Sequence, residues 1–565
     1  MTTSLRSGPV AYGNGPASFG AVARHARGWL PLIGLTALAG SGVALALPSV
    51  LGHSVDAIVA GDNYGKWFTI AAALITTGIF CSLIDAFAGT ACVAGTTAWL
   101  RHRLVSQVVN GGPEGTREFD PGDLVSRVSG NASDAAQAGP AAVTTVAAMA
   151  PPIGSLVLLA LIDPWLAVAF FGGVILVIGV LFVFARRTAE LSLAYQETQG
   201  RISALLTEAV AGLRTISSAG TTAREERRIL GFLPDLHKHG LETWKVLARS
   251  GAQAAIVGPL VLVAVLAVGG LQLVDGHITA GELFAASQYA VLGAGLGSLT
   301  GVIGEIARAR AGIQRAAEVF AITPVTHGLL QLPPGPGRLT FDGVTVFGEE
   351  SALLQDVHLD LPGGATVAVV GPSGAGKSIL AGLAARLRDP HFGQVLLDGV
   401  PIQALNRQAL RTAVGCAFER PTLVGTTVGD AISHDAVGPV RTLAAARATH
   451  AHDFVSRLPE GYFTPLPKAP MSGGERQRLG LARAWPASRL LVLDDATSSL
   501  DTATEMQISK TLTEDRHRRT RLIVTHRTAT AARADLVVWL ENGRVRAVDT
   551  HQELWQHADY REVFG

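Results

Sequence analysis

Gly371-Pro372-Ser373-Gly374-Ala375-Gly376-Lys377-Ser378 matches the pattern G-x-x-x-x-G-K-[ST], and its flanks decide how it is read. Upstream, Ala365-Thr366-Val367-Ala368-Val369-Val370 is an apolar run of strand length; downstream, Ile379 to Leu387 reads as a helix. A glycine loop between strand and helix lets backbone N–H groups converge on phosphate oxygens, and the helix N-terminus adds a favourable dipole. Lys377 is expected to reach the β- and γ-phosphates, and the Ser378 hydroxyl to ligate Mg²⁺. The alternative is an ordinary glycine turn. Lysine is scarce in this chain, which makes a chance match rare, so all eight residues are read as a site for ATP.

The rest of the chain bears on what the nucleotide drives. Of 565 residues, 16% are charged and 48% hydrophobic, and mean hydropathy is +0.33. These values fit a membrane protein joined to a soluble portion. The net charge of +1, without a basic run, gives no reason to expect nucleic acid as a partner. Cys81, Cys92 and Cys416 lie in no paired or metal-ligand spacing and read as small buried hydrophobes. Few lysines against many arginines, alanines and glycines hint at a GC-rich bacterial genome.

Six apolar stretches in the first half reach the roughly 20 residues that span a bilayer: Trp29–Leu51, Trp67–Leu100, Ala141–Ile162, Trp165–Phe184, Ala252–Val274 and Leu283–Ala307. Lys66 is the only Lys or Arg between Gly28 and Leu100, and none occurs from Asn131 to Ala185 or from Gly251 to Ala307. The intervening segments carry Arg101, Arg103, Arg117 and Arg127, then Arg186, Arg187, Arg201, Arg214, Arg224, Arg227 and Arg228. The positive-inside rule puts these segments and the N-terminus in the cytoplasm, and Gly52–Lys66, Asp163–Pro164 and Asp275–Ala280 outside. The expected location is therefore the cytoplasmic membrane, crossed several times.

Both inner segments are long and read as helical; Leu206, Ala209, Val210, Leu213 and Ile216 recur at helical spacing. The membrane helices are thus expected to project into the cytoplasm. Residues 1–18 are expected to be disordered and carry no signal-peptide cleavage arrangement, so the first span stays as an anchor. Residues 19–323 form the transmembrane domain, 324–337 a Pro/Gly-rich linker, and 338–565 one α/β domain. The expected fold class is a multi-domain membrane protein: an all-α six-helix transmembrane domain followed by an α/β P-loop NTPase domain.

Four further motifs follow in order. Met471-Ser472-Gly473-Gly474-Glu475-Arg476-Gln477-Arg478 resembles the signature of ATP-binding-cassette (ABC) proteins, and Leu490–Asp495 resembles their Walker B strand. Ser498-Ser499-Leu500-Asp501 is similar to the D-loop, and Thr525-His526-Arg527 to the switch-histidine segment. Each alone has a dull reading: a common turn, a buried strand, a structural histidine. The fused membrane half resembles an exporter-type half-transporter, in Pro121–Arg127 and in Glu208–Thr215 as well, and the compact MSGGE form is similar to actinobacterial exporters associated with modified peptides. The resemblance implies two chains paired head to tail, with Ser472, Gly473 and Gly474 contacting the γ-phosphate of a nucleotide held by the partner. It places Asp494 and Ser378 at Mg²⁺, Asp501 in the D-loop beside the nucleotide, and His526 in catalysis. Clamping ATP and releasing it after hydrolysis would drive outward and inward opening, transmitted near Phe119–Gly122 and Ser217–Arg228.

Four departures from the family pattern stand out. Walker B ends Asp494-Asp495 where the family has Asp-Glu, so the catalytic carboxylate falls short by about 1.5 Å. The loop that normally offers Gln reads Ala417-Phe418-Glu419-Arg420-Pro421; an ionised Glu419 can accept a hydrogen bond or ligate a metal but cannot donate. The adenine-stacking aromatic aligns with Gly348, leaving Phe347 one position early and open to either face. Phe463–Pro470 is shorter than the family's coupling stretch and lacks its acidic residue. Asp495 and Glu419 together imply a weakened ATPase site and favour a heterodimer over a homodimer. Asp85, inside the second span, either meets a cationic or polar substrate or hydrogen-bonds between helices; Glu305 is expected to pair with Arg308 or Arg310. Export of a small molecule, lipid or peptide is the function read here. A regulatory, non-transporting ATPase subunit and an ATP-gated channel component are the alternatives.

Overall fold

The computed structural model describes residues 19–62, 64–294, 298–348, 351–433, 438–513 and 519–564. The N-terminal stretch expected to be disordered lies outside them. Two compact units emerge: the described residues up to Gln107 with Phe119–Ala321, and Val108–Glu118 with Ile322 onward.

The first unit is helical. Leu30–Ala60 continues through residues 52–60, which the sequence reading assigned to an outer loop. Nothing there breaks a helix until Gly61, whose φ of 71° ends it with an N–H bonded back to Ile58. Gly65–Gly115 covers the second expected span and is interrupted at Gly112-Pro113, where Gly112 leaves helical geometry. Pro121–Ile162 passes through a π-helical turn at Arg127–Asn131. Asp163 caps Pro164–Ala211, accepting from the Trp165 N–H at 2.8 Å. That helix has 48 residues, about 72 Å at 1.5 Å per residue, more than twice the hydrocarbon thickness. Leu233–Val274 has 42, so both outlast a bilayer as expected. Between them the chain breaks at Gly212 and again at Gly220 (φ 63°), giving the short helices Leu213–Ala219 and Thr222–Leu230. The last expected span falls on Ala280–Ala294 and Ser298–Phe320. Among the described residues, Leu30–Ala60, Gly65–Gly115 and Pro121–Ile162 are long and apolar enough to cross a membrane, and Pro164–Ile175 and Gly258–Val274 are shorter apolar stretches.

Small residues let these helices approach. A Cβ on Gly281 would fall 2.0 Å from the Gly52 carbonyl oxygen, so backbone packs on backbone there. Asp56 secures the same seam, accepting from the Thr279 hydroxyl and the Gly281 N–H at 2.7 Å each. Deeper in, Asp85 accepts from the Thr36 hydroxyl at 3.2 Å, which joins the first two spans and matches the helix-bridging reading of that carboxylate. Glu305 makes no ion pair with Arg308 or Arg310; among the described residues it borders a cavity instead. The expectation from spacing fails because Arg308 and Arg310 are exposed while Glu305 is half-buried.

The second unit is α/β. An antiparallel sheet, ordered β2-β1-β4-β5, is built from β1 (Leu339–Phe347), β2 (Ala352–Leu361), β4 (Phe392–Leu397) and β5 (Val400–Pro401). A six-stranded sheet, ordered β10-β9-β3-β8-β7-β6, holds β3 (Thr366–Val370), β6 (Val414–Phe418), β7 (Leu490–Asp494), β8 (Thr520–Val524), β9 (Leu536–Glu541) and β10 (Arg544–Asp549). All its pairings are parallel except β9 with β10. Its central strands are buried on both faces, which is why β3 and β7 read as unbroken apolar runs. The expected linker is not free: Gly328 and Leu330 donate to the Gln403 and Ala404 carbonyls, and Asn406 donates back to Leu330. A chain rich in proline still offers carbonyls and some N–H groups to an exposed edge. Val108–Glu118 also belongs to this unit, with Glu114 accepting from Arg388 at 2.5 Å.

Candidate ATP-binding and hydrolysis site

Parallel strands end together, and four neighbours deliver the site to one sheet edge. Asp494 closes β7 opposite Phe418 of β6 and Val524 of β8, and Val524 in turn pairs with Val369 of β3. The glycine loop after β3, Glu419 after β6, Asp495 after β7 and His526 after β8 therefore meet, although more than 150 residues of sequence separate the first from the last.

The loop needs its glycines. Gly371, Gly374 and Gly376 adopt φ of 154°, 82° and 96°. A Cβ on Gly371 would lie 2.1 Å from the Leu540 carbonyl oxygen, and one on Gly376 would strike Leu353 and Leu354 of the β1–β2 hairpin. The helix Lys377–Ala384 starts directly after this curl, so its free N–H groups point into the loop. The Lys377 ammonium donates to the Gly371 and Pro372 carbonyls at 2.8 and 2.9 Å. Burial pulls Lys377 below the usual lysine range, against the attraction of Asp495 and Asp494. Ser378 donates from Oγ to Asp494 Oδ1 at 3.0 Å, which sets a hydroxyl and a carboxylate side by side, the oxygen donors a small hard cation takes.

Asp495 stands 3.7 Å from His526 Nε2, and both line a cavity of about 250 Å³ with Glu419, Ser498 and Arg527. Its φ of 49° is left-handed, a conformation aspartate tolerates better than most residues. Burial pushes the Asp495 carboxyl above the ordinary range, with His526 and Lys377 pulling the other way; burial also raises Asp494, which the Ser378 hydrogen bond opposes.

Ser472 caps the helix Gly473–Ala484 in a reciprocal box with Glu475, so the signature serine also orders its own helix. Burial disfavours the Glu475 charge, but hydrogen bonds from Ser472 outweigh it and hold that carboxyl below the usual range. Asp501 caps Thr502–Thr513 through the Thr504 N–H at 2.9 Å. Phe347 points away from the face that buries Val346, and its ring meets His391 and Phe392 edge-on at 5.5 and 6.0 Å.

One residue inside a quoted motif carries a role the sequence did not disclose. Gln477, 2% exposed, donates to the Glu419 carbonyl at 2.6 Å and to Ser498 Oγ at 3.0 Å, and accepts from the Ser499 N–H at 2.9 Å. It ties the signature helix to the Glu419 loop and to the D-loop. Arg527 makes a parallel tie, to Glu505 and to the Ser498 carbonyl. A polar side chain on the buried side of a helix was the available signal. Gln477→Leu leaves the part-buried Glu419 carbonyl and Ser499 N–H without their partner, at up to about 1 kcal/mol each. We expect turnover to fall at least tenfold while nucleotide affinity stays within about twofold, as read by steady-state ATPase assay and nucleotide titration; a matching loss of affinity would mean that Gln477 merely supports the fold.

Comparison with known proteins places this geometry. Residues 30–293 match the family model "ABC transporter transmembrane region" and residues 354–498 match "ABC transporter". The chain is 44% identical over 538 residues to the ABC transporter ATP-binding protein RamA of Streptomyces coelicolor, covering 94% of this chain and 85% of that one. It is 30% identical over 549 residues to an ATP-dependent lipid A-core flippase of Chromohalobacter salexigens, covering 92% and 93%. In fold it is similar to a bacterial Atm1-family ABC exporter solved with ATP bound, with TM-score 0.77 and 24% identity over 95% of this chain and 98% of that one. The chain belongs to the ABC transporters: a multi-pass membrane protein of the exporter half-transporter type, with a fused ATPase domain.

Proposed function

We propose that this chain is one half of a dimeric exporter in the bacterial cytoplasmic membrane, with its N-terminus and ATP unit on the cytoplasmic side. The observation that carries this reading is the junction of apolar helices, in one chain, with an ATP unit whose Lys377, Ser378, Asp494, Asp495 and His526 share one sheet edge. Mg²⁺ suits the Ser378–Asp494 pair, with Glu419 as a further oxygen, and when bound it offsets phosphate charge. Asp495 polarises the attacking water from a short reach, and His526 positions it. Phe347 supplies an exposed ring for adenine beside the hairpin that covers Gly376.

Ser472, Gly473, Gly474 and Asp501 serve the nucleotide of a partner chain. A weak Asp495 site next to a sound signature favours a different half-transporter as that partner. Phe119–Gly122 and Ser217–Arg228 are the segments that would pass motion from nucleotide to membrane helices. The curated relatives include proteins named for lipid A-core and fatty acid, so amphiphiles are the substrate class to try first.

Inverted vesicles bearing the assembled pair are expected to take up cargo with hydrolysable ATP and not with a non-hydrolysable analogue; the isolated chain should show little ATPase. Vigorous turnover by the chain alone would favour the homodimer, and no ATP-dependent uptake of any amphiphile would favour the regulatory alternative.

A further inference from the structure

The helical unit carries an open cavity of about 640 Å³, bordered by Thr90, Thr97 and Arg101 of the second long helix, Gln137 and Thr144 of the third, and Glu305 of the last. Much of the remaining lining is Gly, Ala, Val and Pro. Two observations single it out. Threonines on these helices return their hydroxyl proton to the carbonyl four residues back, as Thr90 and Thr144 do at 2.8 and 3.0 Å. Thr97, 8% exposed, does not: its buried hydroxyl has no hydrogen-bond partner. An unsatisfied hydroxyl in apolar surroundings costs about 1–3 kcal/mol, so such a group commonly marks a place where a ligand completes the bonding.

The second observation is charge. Arg101 and Glu305 both border the cavity, but Arg101 already donates to the Val128 and Ser129 carbonyls at 3.3 and 2.7 Å. Glu305 has no cationic partner among the described residues, and neither carboxylate oxygen accepts a hydrogen bond there. A half-buried carboxylate that borders an apolar-lined cavity is retained at a cost unless something positive meets it. The unmet polar demand of the cavity is therefore at Glu305, a carboxylate with no donor, and the small apolar residues leave room for a hydrocarbon body.

We propose that this cavity binds an amphipathic molecule through a protonated amine, with Glu305 receiving the ammonium and the Thr97 hydroxyl and Gln137 amide bonding polar groups beside it. The inference rests on the export reading in one respect only, that a bound molecule is cargo; occupancy itself does not need ATP.

The test uses the full chain in detergent without nucleotide. The probe is a dansyl-labelled alkyl primary amine, compared with its N-acetylated form, which keeps the body and removes the charge. The amine is expected to bind about tenfold more tightly, in line with one charge-assisted hydrogen bond. Glu305→Gln should erase the difference, and Thr97→Val should weaken both probes. Equal binding of the two probes to the natural chain would overturn the proposal, as would a Glu305→Gln chain that keeps the preference. If Glu305→Gln does not fold, the probe comparison on the natural chain still decides. Amine-selective binding without ATP-dependent vesicle uptake would leave the cavity in place and sink the pump; uptake of neutral amphiphiles with no amine preference would do the reverse.

Discussion

Asp495→Glu is expected to raise ATP turnover at this chain's own site by about a hundredfold, the effect of correcting a carboxylate misplaced by about 1 Å or more. Asp and Glu differ little in basicity, so reach and not proton affinity is what changes. Two features of the site oppose the gain without cancelling it. The backbone at Asp495 is left-handed, where Glu fits less well than Asp, a cost of about 1 kcal/mol against the roughly 2.7 kcal/mol that a hundredfold represents. The residue is also partly buried beside Lys377 and His526, which leaves limited room for another methylene. Because burial holds the Asp495 carboxyl above its usual range, turnover should rise with pH through a midpoint above that of a free carboxylate, as the base loses its proton. Single-site turnover of the assembled pair, measured with and without the substitution across a range of pH, decides the matter. An unchanged rate would place the weakness elsewhere, with Glu419 the next residue to restore to Gln.

Lys377→Ala should weaken nucleotide binding by about a hundredfold, since it removes charge-assisted hydrogen bonds of about 1.5–3 kcal/mol from a site with no other cation at the same place. The side chain is 6% exposed, and its ammonium bonds the Gly371 and Pro372 carbonyls while Asp495 and Asp494 attract its charge. Lys377→Arg is not expected to rescue, because a planar guanidinium does not reproduce the compact ammonium that bonds the Gly371 and Pro372 carbonyls. Fluorescent nucleotide titration reads the affinity, and an unchanged thermal transition of the nucleotide-free chain shows that the fold survived. Retained affinity in the Ala variant would mean that the octapeptide is only a turn.

Much of this molecule was legible before any coordinates. Hydropathy runs and arginine placement marked the membrane half, because lipid tolerates neither charge nor unpaired backbone. The octapeptide declared its chemistry through strand, glycines, lysine and hydroxyl together. Helix ends were less legible: the apolar run stops at Leu51 and Gly52–Lys66 reads as an outer loop, yet the helix continues through residues 52–60 until a left-handed glycine stops it. Spacing pointed Glu305 toward nearby arginines, but side-chain direction on the helix decides that, and Glu305 borders a cavity.

By itself the sequence determined what each segment can be: which stretches suit lipid, which loop suits phosphate, which carboxylate is a methylene short. Those are properties of local composition and covalent geometry. Only the tertiary structure decided which distant groups meet. Parallel pairing of β3, β8, β7 and β6 brings Lys377, His526, Asp495 and Glu419 to one edge, and a buried Gln477 locks three motifs together. Such meetings depend on strand order and helix rotation, which arise from packing summed over the whole domain and so leave no signature at any single residue.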